Sequence, residues 1–198
     1  MEKIPSRTIL ISSILLLYAF VLLSVILGPD EEPLYILLRL SGLIGFLSIC
    51  GAVITNLFKS ELRKILGKPF LAIHHIFAIV GLVCITLHPL LYALLTSDLS
   101  IFIPGLSSPY LFLAMGGRVA LILIYIAVIA ALYRKSYSSG WKIIHRLMYL
   151  AIILAIIHAN IIGGTFENPY IRFMFNGLAG LTIIVGMLLY MKRRVIFR

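Results

Sequence analysis

Four histidines lie in two strongly apolar stretches of the sequence, two in each stretch. His74 and His88 are spaced as i and i+14, and His145 and His158 are spaced as i and i+13. A helix rises about 1.5 Å per residue, so each pair spans roughly 20 Å, which is most of a bilayer's hydrocarbon core of about 30 Å. A neutral imidazole inside lipid is costly to keep and is usually functional. Two such pairs at matching depths predict two heme sites, one near each membrane face.

The angular positions of these histidines fit one helix well and the other only in part. At about 100° per residue, the i, i+14 spacing leaves the side chains of His74 and His88 about 40° apart, on one face. Gly81 lies midway between them on that face, where it gives room either to a flat macrocycle or to a closely packed helix. The i, i+13 spacing leaves His145 and His158 about 140° apart. That helix must absorb the difference by rotamer choice, bending or an oblique crossing.

The elements that carry the histidines follow from the composition. The chain has 198 residues and is 62% hydrophobic, whereas a soluble domain is about 45–50% apolar. Six apolar runs are each long enough to cross a bilayer as a helix, at about residues 8–28, 34–58, 69–96, 111–133, 141–162 and 170–191. They predict an all-α integral membrane protein, a six-transmembrane-helix bundle that forms a single heme-binding domain over residues 1–198, with the hemes between its third and fifth helices. The first run exceeds the core of a signal peptide and lacks a cleavage site after it, so we expect a retained helix.

The charges between the runs predict the topology. The net charge is +10. Most basic residues lie on one side of the predicted membrane: Lys3, Arg7, Lys59, Arg63, Lys64, Lys68, Arg134, Lys135, Lys142, Lys192, Arg193, Arg194 and Arg198. The opposite loops carry acidic residues: Asp30, Glu31, Glu32, Asp98 and Glu167. By the positive-inside rule, both termini face the cytoplasm in a multi-pass protein of the plasma membrane. Topology and contact with anionic lipid therefore explain the basic charge, and we expect no nucleic-acid partner.

This topology sets the depths of the histidines. The third and fifth runs both lead outwards, so His74 and His145 lie near the cytoplasmic face, and His88 and His158 lie near the outer face. Each depth then supplies two axial imidazoles to one iron, and such bis-histidine ligation suits electron transfer because it leaves no open coordination position. His75 is rotated by about 100° from His74, away from the face of His88. We therefore predict His74, rather than His75, as the inner ligand.

Other interpretations of the histidines are weaker. A single histidine in a membrane helix often only hydrogen-bonds to another helix, whereas four histidines in two matching pairs favour a cofactor. Metal and proton transporters usually also carry carboxylates within the membrane, and none of the six runs contains one. Cys50 and Cys84 stand alone, without a CxxC pair for thiol chemistry or zinc and without a CxxCH for covalent heme attachment. The histidine pairs therefore predict two hemes, and the sequence has no motif that would attach them covalently.

Three arginines lie on the outer side, against the positive-inside pattern: Arg39, Arg118 and Arg172. We expect them around the outer heme, where guanidinium groups would pair with heme propionates or with an anionic substrate. The alternative is that they extend to lipid phosphates. On the inner side, Lys142 and Arg146 flank His145, where they would meet propionates, an acidic electron donor or the membrane interface.

The segments around the histidines are similar to one known family. HHIFAIVGLVCITLHPLLY and WKIIHRLMYLAIILAIIHA resemble the third and fifth helices of the ferric reductase-like transmembrane domain, and LRLSGLIGF and GGRVALILI resemble its second and fourth. That family includes ferric reductases, the membrane part of NADPH oxidases and the heme subunit of bacterial methionine sulfoxide reductase systems. The resemblance covers about residues 34–160. It implies a six-helix bundle with two b-type hemes between helices 3 and 5, and it also favours His74 as the inner ligand.

The resemblance also implies a function and partners. Larger relatives continue into cytoplasmic flavin and nicotinamide domains, whereas here MKRRVIFR follows the sixth run and no GxGxxG follows a strand pattern. We therefore expect no flavin or nicotinamide site in this chain. The expected function is an oxidoreductase membrane subunit that needs a separate flavoprotein or quinol as electron donor and an acceptor on the outer face. The alternatives are a heme subunit of a methionine sulfoxide reductase system, a quinol-linked cytochrome b and a histidine-lined metal or proton transporter.

Overall fold

The regular secondary structure of the described residues is entirely helical. A computed structural model describes residues 5–28, 32–136 and 140–196, with residues 189, 190 and 192–196 described by their backbone only. Its helices are α1 (Ser6–Ile26), α2 (Pro33–Ile54), α3 (Lys59–Leu66), α4 (Phe70–Thr96), α5 (Pro109–Ala114), α6 (Gly116–Leu132), α7 (Trp141–His145), α8 (Leu147–Ile162) and α9 (Pro169–Ile196). Short 3₁₀ turns at Leu99–Phe102 and Gly164–Glu167 precede α5 and α9. The prediction of an all-α chain is confirmed over these residues.

Five described segments are long and apolar enough to cross a membrane: Ser6–Ile26, Pro33–Ile54, Phe70–Thr96, Trp141–Ile162 and Pro169–Leu188. They correspond to five of the six predicted runs. The fourth run, predicted at 111–133, is divided at Met115 (φ −95°, ψ 17°) into α5 and the shorter apolar helix α6. The division falls beside Gly116 and Gly117, and two adjacent glycines weaken helix formation.

Because five of its segments can cross a membrane, the chain is a multi-pass membrane protein.

The described residues within 1–92 and 187–198 form a first compact unit. Its central helix is α2, whose buried residues include Leu47, Ser48 and Cys50. The hydroxyl oxygens of Tyr18 on α1 and Ser48 on α2 are 2.7 Å apart. This hydrogen bond joins two apolar helices, and a bond of this type specifies how membrane helices pair.

The segment that links α2 to α4 contains a helix that the sequence analysis did not predict. α2 ends at Ile54, and the following α3 buries Leu62 while Arg63 and Lys64 stay at its surface. Gly67 ends α3 with φ 68°, a left-handed conformation that glycine adopts at little cost. Three of the basic residues predicted at the cytoplasmic face, Lys59, Arg63 and Lys64, thus belong to a short amphipathic helix, a structure that suits a membrane surface.

The described residues within 93–186 form a second compact unit, in which α6 packs against α8. Small buried residues occur on both helices: Ala120, Ala127 and Ala130 on α6 and Ala151 on α8. Small side chains allow membrane helices to approach closely. A Cβ placed on Gly116 would lie 3.1 Å from the carbonyl oxygen of Leu154, so the start of α6 lies directly against the backbone of α8.

Candidate functional site

The two candidate histidines of the first unit share one environment. His74 and His88 are half-buried on α4. The Nδ1 atom of His74 lies 2.8 Å from the carbonyl oxygen of Ala52, and that of His88 lies 2.9 Å from the carbonyl oxygen of Leu38. Both carbonyls belong to α2, and their spacing along α2 equals that of the two histidines along α4. Antiparallel packing of α2 against α4 therefore repeats the same bond at both ends of the pair.

The two candidate histidines of the second unit repeat this arrangement on different helices. His145 and His158 are half-buried on α7 and α8. The Nδ1 atom of His145 lies 3.0 Å from the carbonyl oxygen of Ala127, and that of His158 lies 2.6 Å from the carbonyl oxygen of Ala114. The spacing of these carbonyls along the chain again equals the spacing of their histidines. All four candidate side chains thus bond through Nδ1 to the backbone of a preceding helix.

These bonds determine which ring nitrogen can coordinate a metal. A carbonyl oxygen only accepts hydrogen bonds, so Nδ1 carries the proton and donates it in all four histidines. A neutral imidazole with its proton on Nδ1 has its lone pair on Nε2. Histidines that ligate metals commonly donate their other N–H to a carbonyl or carboxylate, which fixes the tautomer and the ring orientation. In this tautomer Nε2 is the ring nitrogen with the lone pair, which is the atom through which a histidine can coordinate a metal.

A break in the helix after His145 changes the angle between the side chains of His145 and His158. Arg146 separates α7 from α8 with ψ −12°, compared with about −42° in a regular α-helix. The amide of Arg146 donates to the carbonyl of Ile143, and the amide of Tyr149 donates to that of Arg146, at 3.2 and 3.0 Å. Such i to i+3 bonds are of the 3₁₀ type, which turns about 20° more per residue than an α-helix. The break therefore reduces the angular offset between His145 and His158 that a regular helix would leave.

The predicted inner histidines have distinct aromatic neighbours. His75 is exposed, and its ring centroid lies 5.9 Å from that of His74. The ring centroid of Trp141 lies 6.0 Å from that of His145, and the Nζ atom of Lys142 lies 6.0 Å from the Trp141 ring. His74 is thus the more enclosed member of the His74–His75 pair, and Lys142 lies beside the indole next to His145.

Glycines lie against the rings of the predicted outer histidines. A Cβ on Gly42 of α2 would lie 2.9 Å from Nδ1 of His88, and a Cβ on Gly117 of α6 would lie 3.0 Å from Cδ2 and Nε2 of His158. Gly81, the glycine that the sequence places between His74 and His88, instead meets the side chain and backbone of Ile49. In the structure, Gly81 therefore serves the packing of α4 against α2.

Arg118 holds the loop that follows α4. Its Nη1 atom donates to the carbonyl oxygens of Ser100 and Ile103, at 3.1 and 2.6 Å. Asp98 caps the 3₁₀ turn of this loop, with its carboxylate 2.8 Å from both the amide and the hydroxyl of Ser100. The bonds from Ser100 keep the pKa of the Asp98 carboxyl below its usual range. Hydrogen bonds from Arg118 and to Asp98 thus stabilise this loop.

We expect Arg118→Gln to loosen this loop and to accelerate its cleavage by an added protease about tenfold. A hydrogen bond from a charged group contributes roughly 1.5–3 kcal/mol, and about 1.4 kcal/mol corresponds to a factor of ten in a local opening equilibrium. Cleavage between residues 99 and 106 can be followed by mass spectrometry of the protein in detergent. Arg172→Gln is the matched control. Equal cleavage rates for wild type and Arg118→Gln would contradict this role.

Arg172 belongs to a different polar cluster, which the sequence analysis missed. Its Nε atom donates to the side-chain oxygen of Asn160 at 3.2 Å. The side-chain amides of Asn160 and Asn176 exchange two hydrogen bonds of 2.9 and 3.1 Å. Asn160 follows His158 by two residues, which is about 200° around α8. This cluster therefore lies on the side of α8 opposite His158. The third outer arginine, Arg39, is half-buried and follows Leu38 on α2. Asparagines within apolar runs were the signal that could have predicted it.

The four histidines can be compared with the ligands that a heme requires. Among the described residues, no group of three or more His, Cys, Asp or Glu side chains is arranged to hold a metal ion. A heme requires only two axial protein ligands, since its macrocycle supplies the remaining four nitrogens. The four Nδ1-bonded imidazoles therefore fit the chemistry of b-type heme.

Comparisons with known proteins bear on the family of the chain. No curated protein and no solved structure matches it. The family described as ferric reductase like transmembrane component matches residues 13–156, well over half of the chain. The matched region includes three of the four candidate histidines: His74, His88 and His145. The chain belongs to the ferric reductase like transmembrane component family.

Proposed function

We propose that the chain is a transmembrane b-type cytochrome, the membrane component of an oxidoreductase. It would pass electrons from a donor on the cytoplasmic side to an acceptor on the outer face. The observation that carries this proposal is the Nδ1-to-carbonyl bond that the four candidate histidines share. Histidines that ligate metals commonly bond in this way through the nitrogen that does not coordinate. Family membership and the apolar spans support it.

The four histidines are proposed as two axial pairs. On the depths that the sequence predicts, His74 pairs with His145 near the cytoplasmic face, and His88 pairs with His158 near the outer face. The proposal includes six membrane crossings, with α5 and α6 together forming the fourth. Bound heme supplies the one-electron chemistry. The histidines would hold the hemes, and their backbone bonds fix the orientation of each imidazole.

The outer arginines are proposed to bind anions, with different roles. Arg39 follows Leu38, whose carbonyl accepts the bond from His88, so its guanidinium is proposed to meet a heme propionate. Arg118 is proposed to do the same while it holds the outer loop. Arg172 lies with Asn160 on the far side of α8 from His158. We propose that it meets an anionic acceptor, and a lipid phosphate is the alternative.

The cytoplasmic side is proposed to receive electrons from a separate donor. Exposed basic residues of α3 and the segment after it, Arg63, Lys64 and Lys68, give this face a positive charge. A positive surface attracts an acidic flavoprotein and accelerates its association. A quinol is the alternative donor, and reduction of the purified protein by a quinol without any flavoprotein would identify it.

The test of this function is the heme content of the full-length chain. We expect about two b-type hemes per chain in a pyridine hemochrome assay, and low-spin bands in the reduced-minus-oxidised spectrum, since paired imidazoles leave no open position. One heme per chain would favour the single-heme alternative, a methionine sulfoxide reductase-type subunit. A colourless protein from cells with ample heme would refute the proposal and favour the transporter.

A further inference from the structure

The rings of His88 and His158 occupy space that exists only because the facing residue is glycine. A Cβ on Gly42 would lie 2.9 Å from Nδ1 and 3.1 Å from Cε1 of His88. A Cβ on Gly117 would lie 3.0 Å from both Cδ2 and Nε2 of His158. Uncrowded contacts between such atoms are about 3.5–4.0 Å. A side chain at either position would therefore require the ring to shift by at least a few tenths of an ångström.

The same rings cannot move away without breaking another contact. Nδ1 of His88 bonds to the carbonyl of Leu38, one helical turn before Gly42. Nδ1 of His158 bonds to the carbonyl of Ala114, three residues before Gly117. Each ring thus lies across the surface of a preceding helix, bonded at one end and pressed against a glycine. The arrangement occurs independently in both units.

This feature separates the outer histidines from the inner ones. The carbonyl of Ala52 accepts the bond from His74. Its neighbour Gly51 faces the ring of Phe77 rather than an imidazole. Gly177 and Gly180 on α9 have no atom of the described residues within 4 Å of an added Cβ. Glycine inside a helix costs about 0.5–1 kcal/mol relative to alanine. At Gly42 and Gly117, the imidazole ring that lies against the glycine gives a packing reason for this cost.

We infer that Gly42 and Gly117, the outer glycine pair, are positioning residues that set the orientation of His88 and His158. They act by leaving space for the imidazoles, so that Nδ1 reaches its carbonyl and Nε2 faces the ligand. The inference rests on the proposed function for the identity of that ligand, which is heme. The orientation of the rings is a property of the chain itself.

Gly42→Ala and Gly117→Ala in the full-length protein test this inference. We expect each variant to shift the midpoint potential of one heme, or to lose that heme, while the other keeps the wild-type potential. Both variants should affect the same heme. Gly177→Ala and Gly180→Ala are matched controls that should preserve both hemes. Unchanged potentials in Gly42→Ala and Gly117→Ala, or equal shifts of both hemes, would overturn the inference.

Nitrogen NMR of ¹⁵N-histidine-labelled protein gives a readout that does not depend on heme. In the heme-free wild type, His88 should show its proton on Nδ1, and Gly42→Ala should change this signal while the His74 signal stays constant. If the wild type binds no heme but this change occurs, the proposed function fails and the positioning role stands. If the His88 signal is unchanged, the positioning role fails, whatever the heme content.

A double substitution covers the outcome in which Gly42→Ala folds poorly. In the His88→Ala background, the space beside residue 42 is open, so adding Gly42→Ala should no longer lower the melting temperature. A drop of equal size in both backgrounds would mean that the glycine serves helix packing alone, and the inference would be wrong.

Discussion

Replacing any one of His74, His88, His145 or His158 with alanine is expected to lower the heme content from about two per chain to about one. Each substitution removes a proposed axial ligand, an imidazole that the structure holds in place through a backbone bond. The iron would keep a single protein ligand and an open position, which weakens retention and converts low-spin heme to high-spin heme. The pyridine hemochrome assay and the optical spectrum measure both effects.

His75→Ala is the matched control for these substitutions. His75 adjoins His74 in sequence but is exposed, so this variant should retain two low-spin hemes. Imidazole supplied together with heme should restore the second, low-spin heme of the alanine variants, because it fills the cavity left by the lost side chain. Rescue of this kind distinguishes a ligand from a residue that only stabilises the fold.

The pairing of the ligands can be read from double substitutions. His74→Ala with His145→Ala should retain one heme, since both residues are proposed to serve the same iron. His74→Ala with His88→Ala should lose both hemes. Loss of heme in His75→Ala but not in His74→Ala would refute the inner assignment, and loss of both hemes in His74→Ala with His145→Ala would refute the pairing by depth.

The sequence was sufficient to predict most of the fold because membrane helices need long apolar segments. Hydropathy alone located α1, α2, α4 and α9, and it predicted most of their ends to within a few residues. It could not locate the break at Met115, because the residues on both sides of Met115 remain apolar. It also missed α3, since this short, largely polar helix carries little apolar periodicity, and its single buried side chain, Leu62, is decided by tertiary contact.

Residue type and spacing singled out the four candidate histidines, but the contacts that support them were not predictable. Their carbonyl partners depend on how closely two helices approach, and every residue of a helix has a carbonyl, so no sequence signal singles out Ala52 or Ala114. The glycines show the same limit. Gly81 shares the histidine face in sequence yet packs against Ile49, whereas Gly42, on another helix, is the one that meets His88.

Gly45→Leu and Gly81→Leu are expected to remove both hemes, because these glycines allow the backbones of α2 and α4 to approach. A Cβ on Gly45 would lie 3.0 Å from the amide nitrogen of Ile85, and a Cβ on Gly81 would lie 3.1 Å from that of Ile49. A clash with backbone cannot be relieved by a rotamer change. The helices must separate, at a cost of about 1–3 kcal/mol for overpacking, and the Nδ1-to-carbonyl bonds at both ends of α4 would lengthen together.

Comparing Gly45→Ala with Gly42→Ala distinguishes an effect on the distance between helices from an effect on one histidine ring. Gly45→Ala, the milder variant, should shift the potentials of both hemes, since it moves one helix relative to the other, whereas Gly42→Ala should shift only one. Gly177→Leu places the same large side chain in open space on α9 and should keep two hemes with unchanged potentials. If Gly45→Ala and Gly45→Leu both leave the potentials and the heme content at wild-type values, the distance between α2 and α4 does not control the ligands. The imidazoles would then be held by the heme itself rather than by the backbone bonds of the apoprotein.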